Sequence, residues 1–307
     1  MNEGTDLFAG VTEFVETVRT GSFTAAGQRL GLTGSAVGKS VTRLEARLGT
    51  KLLHRTTRRL SLTPEGQTYF DGWVSIMGEV QGLEDAVVMG SGQIAGRLHL
   101  QLPAAFGRRH VMPILLQLTR EHPRLDLSVN FTEHRVNLIE EGIDLAVRIG
   151  ELANEADLVA KRLGRQRLVI CASPDYLATH GVPVSPAELM QHDCLIGSRA
   201  AGLASWPLRG GKGETLAQLI HVRHEFSDGD VMVSAALAGA GLSQLPTWLI
   251  HEHLATGALV PVLEEYVGVE MPIHAVWPRS RYLKPGQRVL IDALVADAAQ
   301  ATSIYRV

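Results

Sequence analysis

Cysteine is scarce in this chain: of 307 residues only Cys171 and Cys194 carry thiols. Their separation fits neither a CxxC redox pair nor a zinc knuckle, which excludes a disulfide framework and a cysteine-ligated structural metal. Two small buried side chains in a reducing compartment, or a redox switch, are the readings left. Long apolar runs are missing too. The longest, around Met232 to Leu242, is rich in alanine and glycine and falls well short of the roughly 18 residues of a membrane span. The N-terminus, MNEGTDLFAG, has acids where a secretory signal has bases and an apolar core, so a cytoplasmic protein without a membrane partner is expected. The chain as a whole lacks a net positive charge, at a formal −3, while its 45% hydrophobic content suits a globular protein with a real core. Its length favours two or three units.

Catalytic signatures are also absent. His251-Glu252-His253 lacks the i, i+4 spacing that puts two histidines on one helical face for zinc. Gly239-Ala240-Gly241 and Gly210-Gly211-Lys212-Gly213 lack the strand-to-helix context and the Lys-Ser/Thr ending of a phosphate loop, and there is no G-x-S-x-G elbow. No enzyme, cofactor or metal site is expected.

What the chain does have is a block of basic charge. Between Gly21 and Leu62, Arg29, Lys39, Arg43, Arg47, Lys51, Arg55, Arg58 and Arg59 face one acid, Glu45, a formal +7 in a chain of −3. This is the electrostatic landing site for a polyanion, with DNA the natural one. The block sits on a helix-turn-helix pattern. Phe8, Val11, Phe14, Val15 and Val18 form one helical stripe ended by Gly21-Ser22; a second helix is expected over Thr24 to Leu30, and Gly31-Leu32-Thr33 reads as the turn. Thr33 is the expected N-cap of a third helix whose inner face is Ala36, Val37, Val41, Leu44 and Leu48. Its outer face carries small and polar residues first and cations later, the order that suits base edges and then phosphates. Gly34 and Gly38 each cost about 1 kcal/mol in a helix interior, and close approach of backbone to DNA would account for both. Residues Lys51 to Leu62 alternate around a basic, hydroxyl-rich tip, as a β-hairpin wing does.

Together GSFTAAGQRL, SAVGKSVTRLEARLG, LLHRTTR and LTPEG make this stretch resemble the winged helix-turn-helix of LysR-type transcriptional regulators. The family usually has a serine where Gly38 stands, and often a glutamine and a proline near Gly34 and Ser35. The expected DNA contacts are Thr33, Ser35, Lys39, Ser40 and Arg43 on the third helix and Arg55, Thr57, Arg58 and Arg59 on the wing, with Ser35 and Lys39 foremost.

Thr63-Pro64 opens a further helix, in which Tyr69, Trp73, Ile76, Val80, Leu83 and Val87 recur at heptad spacing. Periodicity alone leaves two readings, a helix paired with a second copy and a helix packed on its own domain. The resemblance implies the first, a dimerisation helix, and an operator that is an imperfect inverted repeat. It also implies a tetramer built from dimers and contact with RNA polymerase. Gly90-Ser91-Gly92 reads as a joint.

Beyond Arg97 strands alternate with helices. Leu98 to Leu102, Leu125 to Phe131 and Leu145 to Ile149 read as strands, with helices around Val111 to Leu118 and over His134 to Glu141, predicting a parallel sheet. A second set runs through Arg167 to Cys171, Cys194 to Ile196, Val222 to Phe226 and Leu242 to Leu245. Ile273 to Trp277 and a helix over Gln287 to Ala299 then return to the first lobe. The expected organisation is an α+β multidomain chain. A winged helix-turn-helix takes residues 1–63 and a linker helix 64–90. A two-lobed α/β effector domain similar to periplasmic solute-binding proteins takes 91–307, with lobe I at about 97–160 and 268–307 and lobe II at about 161–267.

A cleft between lobes binds small molecules at strand ends. Its expected lining is Pro103, Ala104, Ala105, Thr132, Arg148, Ser198, Ser227, Pro246 and Thr247, an anion-friendly rim. Arg148 interrupts an apolar strand, and either a ligand carboxylate or an internal acid would pair it. A ligand-responsive regulator is expected over two rivals, an enzyme and a constitutive DNA-binding protein. The latter has no use for a sensor of about 210 residues.

Overall fold

The computed structural model describes residues 7–55, 60–88, 94–152, 155–197, 204–210, 214–280 and 283–300, and the chain divides into two units. The first comprises Met1–Gly92, Val136–Ile143 and Ser280–Pro285; the second comprises Gln93–Arg135, Asp144–Arg279 and Gly286–Val307.

In the first unit, α1 (Val11–Thr20), α2 (Phe23–Leu30) and α3 (Gly34–Leu48) are followed by the hairpin strands β1 (Leu53–Arg55) and β2 (Leu60–Leu62) and by α4 (Pro64–Val88). The first helix begins three residues later than its apolar stripe, because Gly10 is left-handed at φ 83° and a Cβ there would meet the Ser40 carbonyl at 3.0 Å. Gly21, Gly31 and Gly49 close α1, α2 and α3 in the same left-handed form. Thr33 caps α3 as expected, accepting the Ala36 N–H at 3.1 Å. Thr63 does the same for α4, accepting the Gly66 N–H at 2.9 Å, with Pro64 as first helical residue. Val11, Phe14, Val15, Val41, Leu44, Leu52, Leu53 and Phe70 are the buried core.

In the second unit, β3 (Ala95–Leu102) pairs in parallel with β4 (Arg124–Phe131) and β5 (Leu145–Ile149). Between β3 and β4 run α5 (Ala104–Phe106), a π-helical turn (Gly107–Val111) and α6 (Met112–Glu121). Over His134 to Glu141, most of which belongs to the first unit, the expected helix is absent. Asn137 accepts the N–H groups of Ile139 and Glu140, Glu141 bonds back to the Asn137 carbonyl, and left-handed Gly142 stops the single turn so formed.

The long strand β6 (Leu158–Ala172) leads to α7 (Pro174–His180), β7 (Cys194–Ile196), β8 (Ser205–Arg209), β9 (Thr215–Leu219), β10 (Val222–Glu225) and α8 (Gly229–Leu237). β11 (Leu242–Pro246), α9 (Thr247–Ala255), β12 (Val260–Val262), β13 (Glu270–Pro278) and α10 (Pro285–Ala299) complete the chain. The sheet is mixed rather than parallel. Its order is β10-β7-β11-β6-β13-β5-β3-β4, and β6 and β13 run antiparallel to each other and to their outer neighbours. The reason is connectivity, since two strands that carry the chain out to the second lobe and back must point opposite ways. From Leu158 to Arg167, β6 pairs with β13, and from Leu168 onward it pairs with β11 and β12. β6 thus changes partners at residues 167–168, within one strand.

Candidate functional site

The first site is the outer face of α3. Thr33, Ser35, Lys39 and Arg43 are exposed, while Val37, Val41 and Leu44 are buried beneath them. Ser40 behaves differently. It is half-buried and donates its hydroxyl to Glu13 Oε1 at 2.8 Å, so it joins α3 to α1 instead of standing on the outer face. Arg43 Nε returns to the Lys39 carbonyl at 3.4 Å. The two glycines have different reasons. A Cβ on Gly34 would lie 3.0 Å from Thr24 Cα, so close crossing of α2 and α3 explains it without DNA, whereas a Cβ on Gly38 would meet nothing within 4 Å.

Among the described residues, three further cations of the block are held within the protein. Arg29 pairs with Glu16 at 3.3 Å, Arg47 donates to the Leu7 and Ala9 carbonyls, and Lys51 pairs with Glu45 at 2.8 Å. Glu45, which looked like a lone acid in a basic block, is 2% exposed and also accepts the N–H groups of Leu52 and Leu53 at 3.0 and 3.2 Å. Burial alone would raise its pKa, but the Lys51 ammonium and the two amides outweigh that and hold it below the usual value. It fastens the first wing strand to the recognition helix. Of the wing contacts, Arg55 ends β1, with its backbone alone described, and Thr57, Arg58 and Arg59 lie outside the described residues.

The heptad positions of α4 split. Tyr69 and Trp73 pack on the core of their own unit, with ring centroids 5.7 Å from Phe14 and 5.4 Å from Phe8 respectively. Ile76 and Val80, at 44% and 42% exposed, remain uncovered. For Leu83 and Val87 the helix backbone alone is described, and the expected joint at Gly90-Ser91-Gly92 lies outside the described residues.

The second site is a cavity of about 510 Å³ between the two lobes of the second unit. Pro103, Ala105, Ser227 and Pro246 line it as expected from their places at strand ends. Four others do not. The Ala104 N–H is taken by Glu133 Oε1 at 2.9 Å, Thr132 accepts the His134 N–H, and the Thr247 hydroxyl turns into the protein. Arg148 is 7% exposed and bonds Glu155 at 3.2 Å. Strand alternation sends its neighbour Ile149 to the cavity and Arg148 away from it, so the internal acid is its partner. Ser198 lies outside the described residues.

Phe106, Trp206, Phe226 and Trp248 supply the apolar wall, none of them marked by any motif. Trp248 is fixed from three sides: its indole N–H donates to Gln166 at 2.9 Å, and the rings of Phe106 and His110 stand edge-on at 5.5 and 4.9 Å. Gln166 lies on β6, one residue before the strand changes partners. Across the cavity mouth Arg108 binds Asp228 at 3.0 Å and Asp230, and Arg109 binds Asp230, joining the lobes by charge. Asp228 also caps α8 through the Asp230 and Val231 amides. At the starts of α5 and α8 the rim is thus filled by the protein's own carboxylates. Cys171 and Cys194 are buried, and burial pushes both thiols up to about 12, so neither is a ready thiolate. Among the described residues no group of side chains could hold a metal, and no helix is long and apolar enough to cross a membrane.

Residues 11–67 match the bacterial regulatory helix-turn-helix proteins of the lysR family, and residues 91–299 match the LysR substrate binding domain. The chain is 34% identical over 288 residues to the HTH-type transcriptional regulator CrgA of Neisseria meningitidis, covering 94% of this chain and 95% of that protein. It is 31% identical over 287 residues to the transcriptional activator TtdR of Escherichia coli, covering 93% and 92%. The solved structure of CrgA superposes with a TM-score of 0.60 at 33% identity, covering 95% of this chain and 98% of that one. ArgP of Mycobacterium tuberculosis, at 22% identity and a TM-score of 0.73, shares the fold, covering 97% and 98%. With a helix-turn-helix that binds DNA and a domain that binds small-molecule effectors, this chain belongs to the LysR-type transcriptional regulators, a family of regulators and not of enzymes.

Proposed function

We propose that the protein binds an imperfect inverted repeat in double-stranded DNA as a dimer, and that a small metabolite in the inter-lobe cavity changes how it does so. The observation that carries the reading is the cavity of about 510 Å³ walled by both lobes. A protein that only bound DNA would have no use for it. Ser35 and Lys39, exposed on the first turns of α3, are the groove-facing pair, with Thr33 and Arg43 on the same helix face. Arg55, Thr57, Arg58 and Arg59 of the wing are the further contacts proposed from the sequence. Ile76 and Val80 are the apolar residues of α4 left for a second copy. Two tethered recognition helices bind with a high local concentration at the second half-site, and a tetramer of two dimers would extend that to a longer operator.

In the cavity, a ligand that touches both lobes favours one arrangement of them over the others, and that preference is the whole of its regulatory effect. Selection of genomic fragments by the purified chain, then footprinting at several salt concentrations with and without ligand, tests the reading. An interrupted inverted repeat, with affinity falling steeply as salt rises, is expected. Lys39→Ala should weaken all sites alike and flatten the salt dependence, and Ser35→Ala should change sequence preference. A footprint and affinity indifferent to every cavity ligand would defeat the regulatory part.

A further inference from the structure

The cavity has an electrostatic character unlike the anion-binding rim that its strand ends suggest. Among the described residues no lysine, arginine or histidine lines it, while Glu133 and Asp228 do. The cations nearby are committed elsewhere: Arg148 to Glu155, Arg108 to Asp228 and Asp230, and Arg109 to Asp230. Backbone amides at two of the helix starts near the cavity are committed too. The Ala104 N–H at the start of α5 is held by Glu133, and the first amides of α8 are held by Asp228. At these two helix starts a carboxylate ligand would find the donors taken and a like charge facing it.

Glu133 is the reverse case. One of its oxygens accepts the Ala104 N–H, and among the described residues it forms no ion pair. The residue as a whole is exposed, yet protein crowds its carboxyl at the cavity, and this burial, reinforced by the Asp228 charge, raises its pKa. A carboxylate so placed gains from a cation brought to it. The remaining wall favours the same guest, since aromatic rings such as those of Phe106, Trp206, Phe226 and Trp248 attract an ammonium and accept an apolar body. The volume suits a small organic molecule.

We infer that the effector is an organic ammonium with an apolar or aromatic body, its charge set against Glu133 and its body among Phe106, Trp206 and Trp248. This rests on the cavity being the effector site. It assigns to Glu133 the choice between amines and acids of the same shape.

The test uses the full chain and matched series on one body: phenethylamine, 2-phenylethanol and 3-phenylpropanoate, and tryptamine against indole-3-propanoate. Melting temperature and calorimetric titration are read for each. The amines should bind at least about tenfold more tightly than the matching acids. E133Q, whose amide oxygen still accepts the Ala104 N–H, should bring that margin to about twofold, and E133K should reverse it. Acids that bind as well as amines, a margin that survives in E133Q, or no amine binding up to about 5 mM overturns the inference. DNA affinity, measured alongside, separates the two claims. An amine that binds and leaves DNA affinity unchanged defeats the regulatory reading and leaves the ligand class standing.

Discussion

Glu45 shows how a single residue reverses its meaning between sequence and structure. In the sequence it is the lone acid in a basic block, a small deduction from the charge offered to DNA. In the fold it is the buried acceptor for Leu52, Leu53 and Lys51, and the wing hangs from it. E45Q should cost about 2 kcal/mol, as the loss of charge-assisted bonds to two buried amides does, with little of that from Lys51, which is 70% exposed. Hydrogen exchange in the full chain should then quicken at Leu52 and Leu53 and stay unchanged in β3. Because the folded-state pKa of Glu45 is lowered, its contribution is present above about pH 4.5 and is lost as the pH falls below that value. The two glycines of α3 give a sharper comparison. G34A forces a carbon against the Thr24 backbone and should lower stability by about 1–3 kcal/mol. G38A should raise stability by up to about 1 kcal/mol, and any loss of DNA affinity in that stabilised variant measures what the bare backbone at Gly38 does for the groove.

At the scale of elements, the linker helix α4 divides its labour along its length. Its heptad pattern is legible, but a pattern cannot say which partner each turn meets. Tyr69 and Trp73 meet Phe14 and Phe8 of their own chain, and Ile76 and Val80 stay open. I76D with V80D should abolish the proposed dimer in sedimentation equilibrium and leave the monomer folded, whereas W73A should lower stability by about 3–5 kcal/mol with any dimerisation of the folded fraction kept. Elements with strong periodicity and clear punctuation were readable: the three helices of the DNA-binding unit, their caps at Thr33 and Thr63, and the buried strands around Leu100, Val147 and Ile170. Those defined by long-range pairing were not. The middle of β6, Lys161 to Gln166, is too polar to announce a strand and is one because β13 pairs with it. The β8–β9 hairpin has a mostly exposed second strand and so no burial pattern to read. Pro103, Ala105, Ser227 and Pro246 could be placed at the cavity because strand ends converge there. Glu133, Gln166 and Trp248 could not, since each acts through a partner far away in the chain.

Across the second unit, the lobes meet through Trp248, with His110 packed on its ring. Burial, aided by the charge of Arg109, pushes the His110 imidazole down to about 4 from its ordinary 6.5. The folded protein therefore refuses a proton that the unfolded chain accepts between those values. Stability of this unit should decline as pH falls from about 6.5 to about 4, by at most about 1.4 kcal/mol per pH unit from this group, and H110N should remove that part of the slope in melting curves. The strand that carries Gln166 has a wider consequence. Since β6 runs through both lobes, pairing with β13 up to Arg167 and with β11 and β12 from Leu168, the lobes can turn about the line where it changes partners, so the domain has in effect one dial. Whatever the shape of its guest, such a receptor can report only a single number, the setting of that dial. Chemically unrelated molecules that hold it at the same setting would be synonyms, and one that fills the cavity without moving it would be silent and would block the rest.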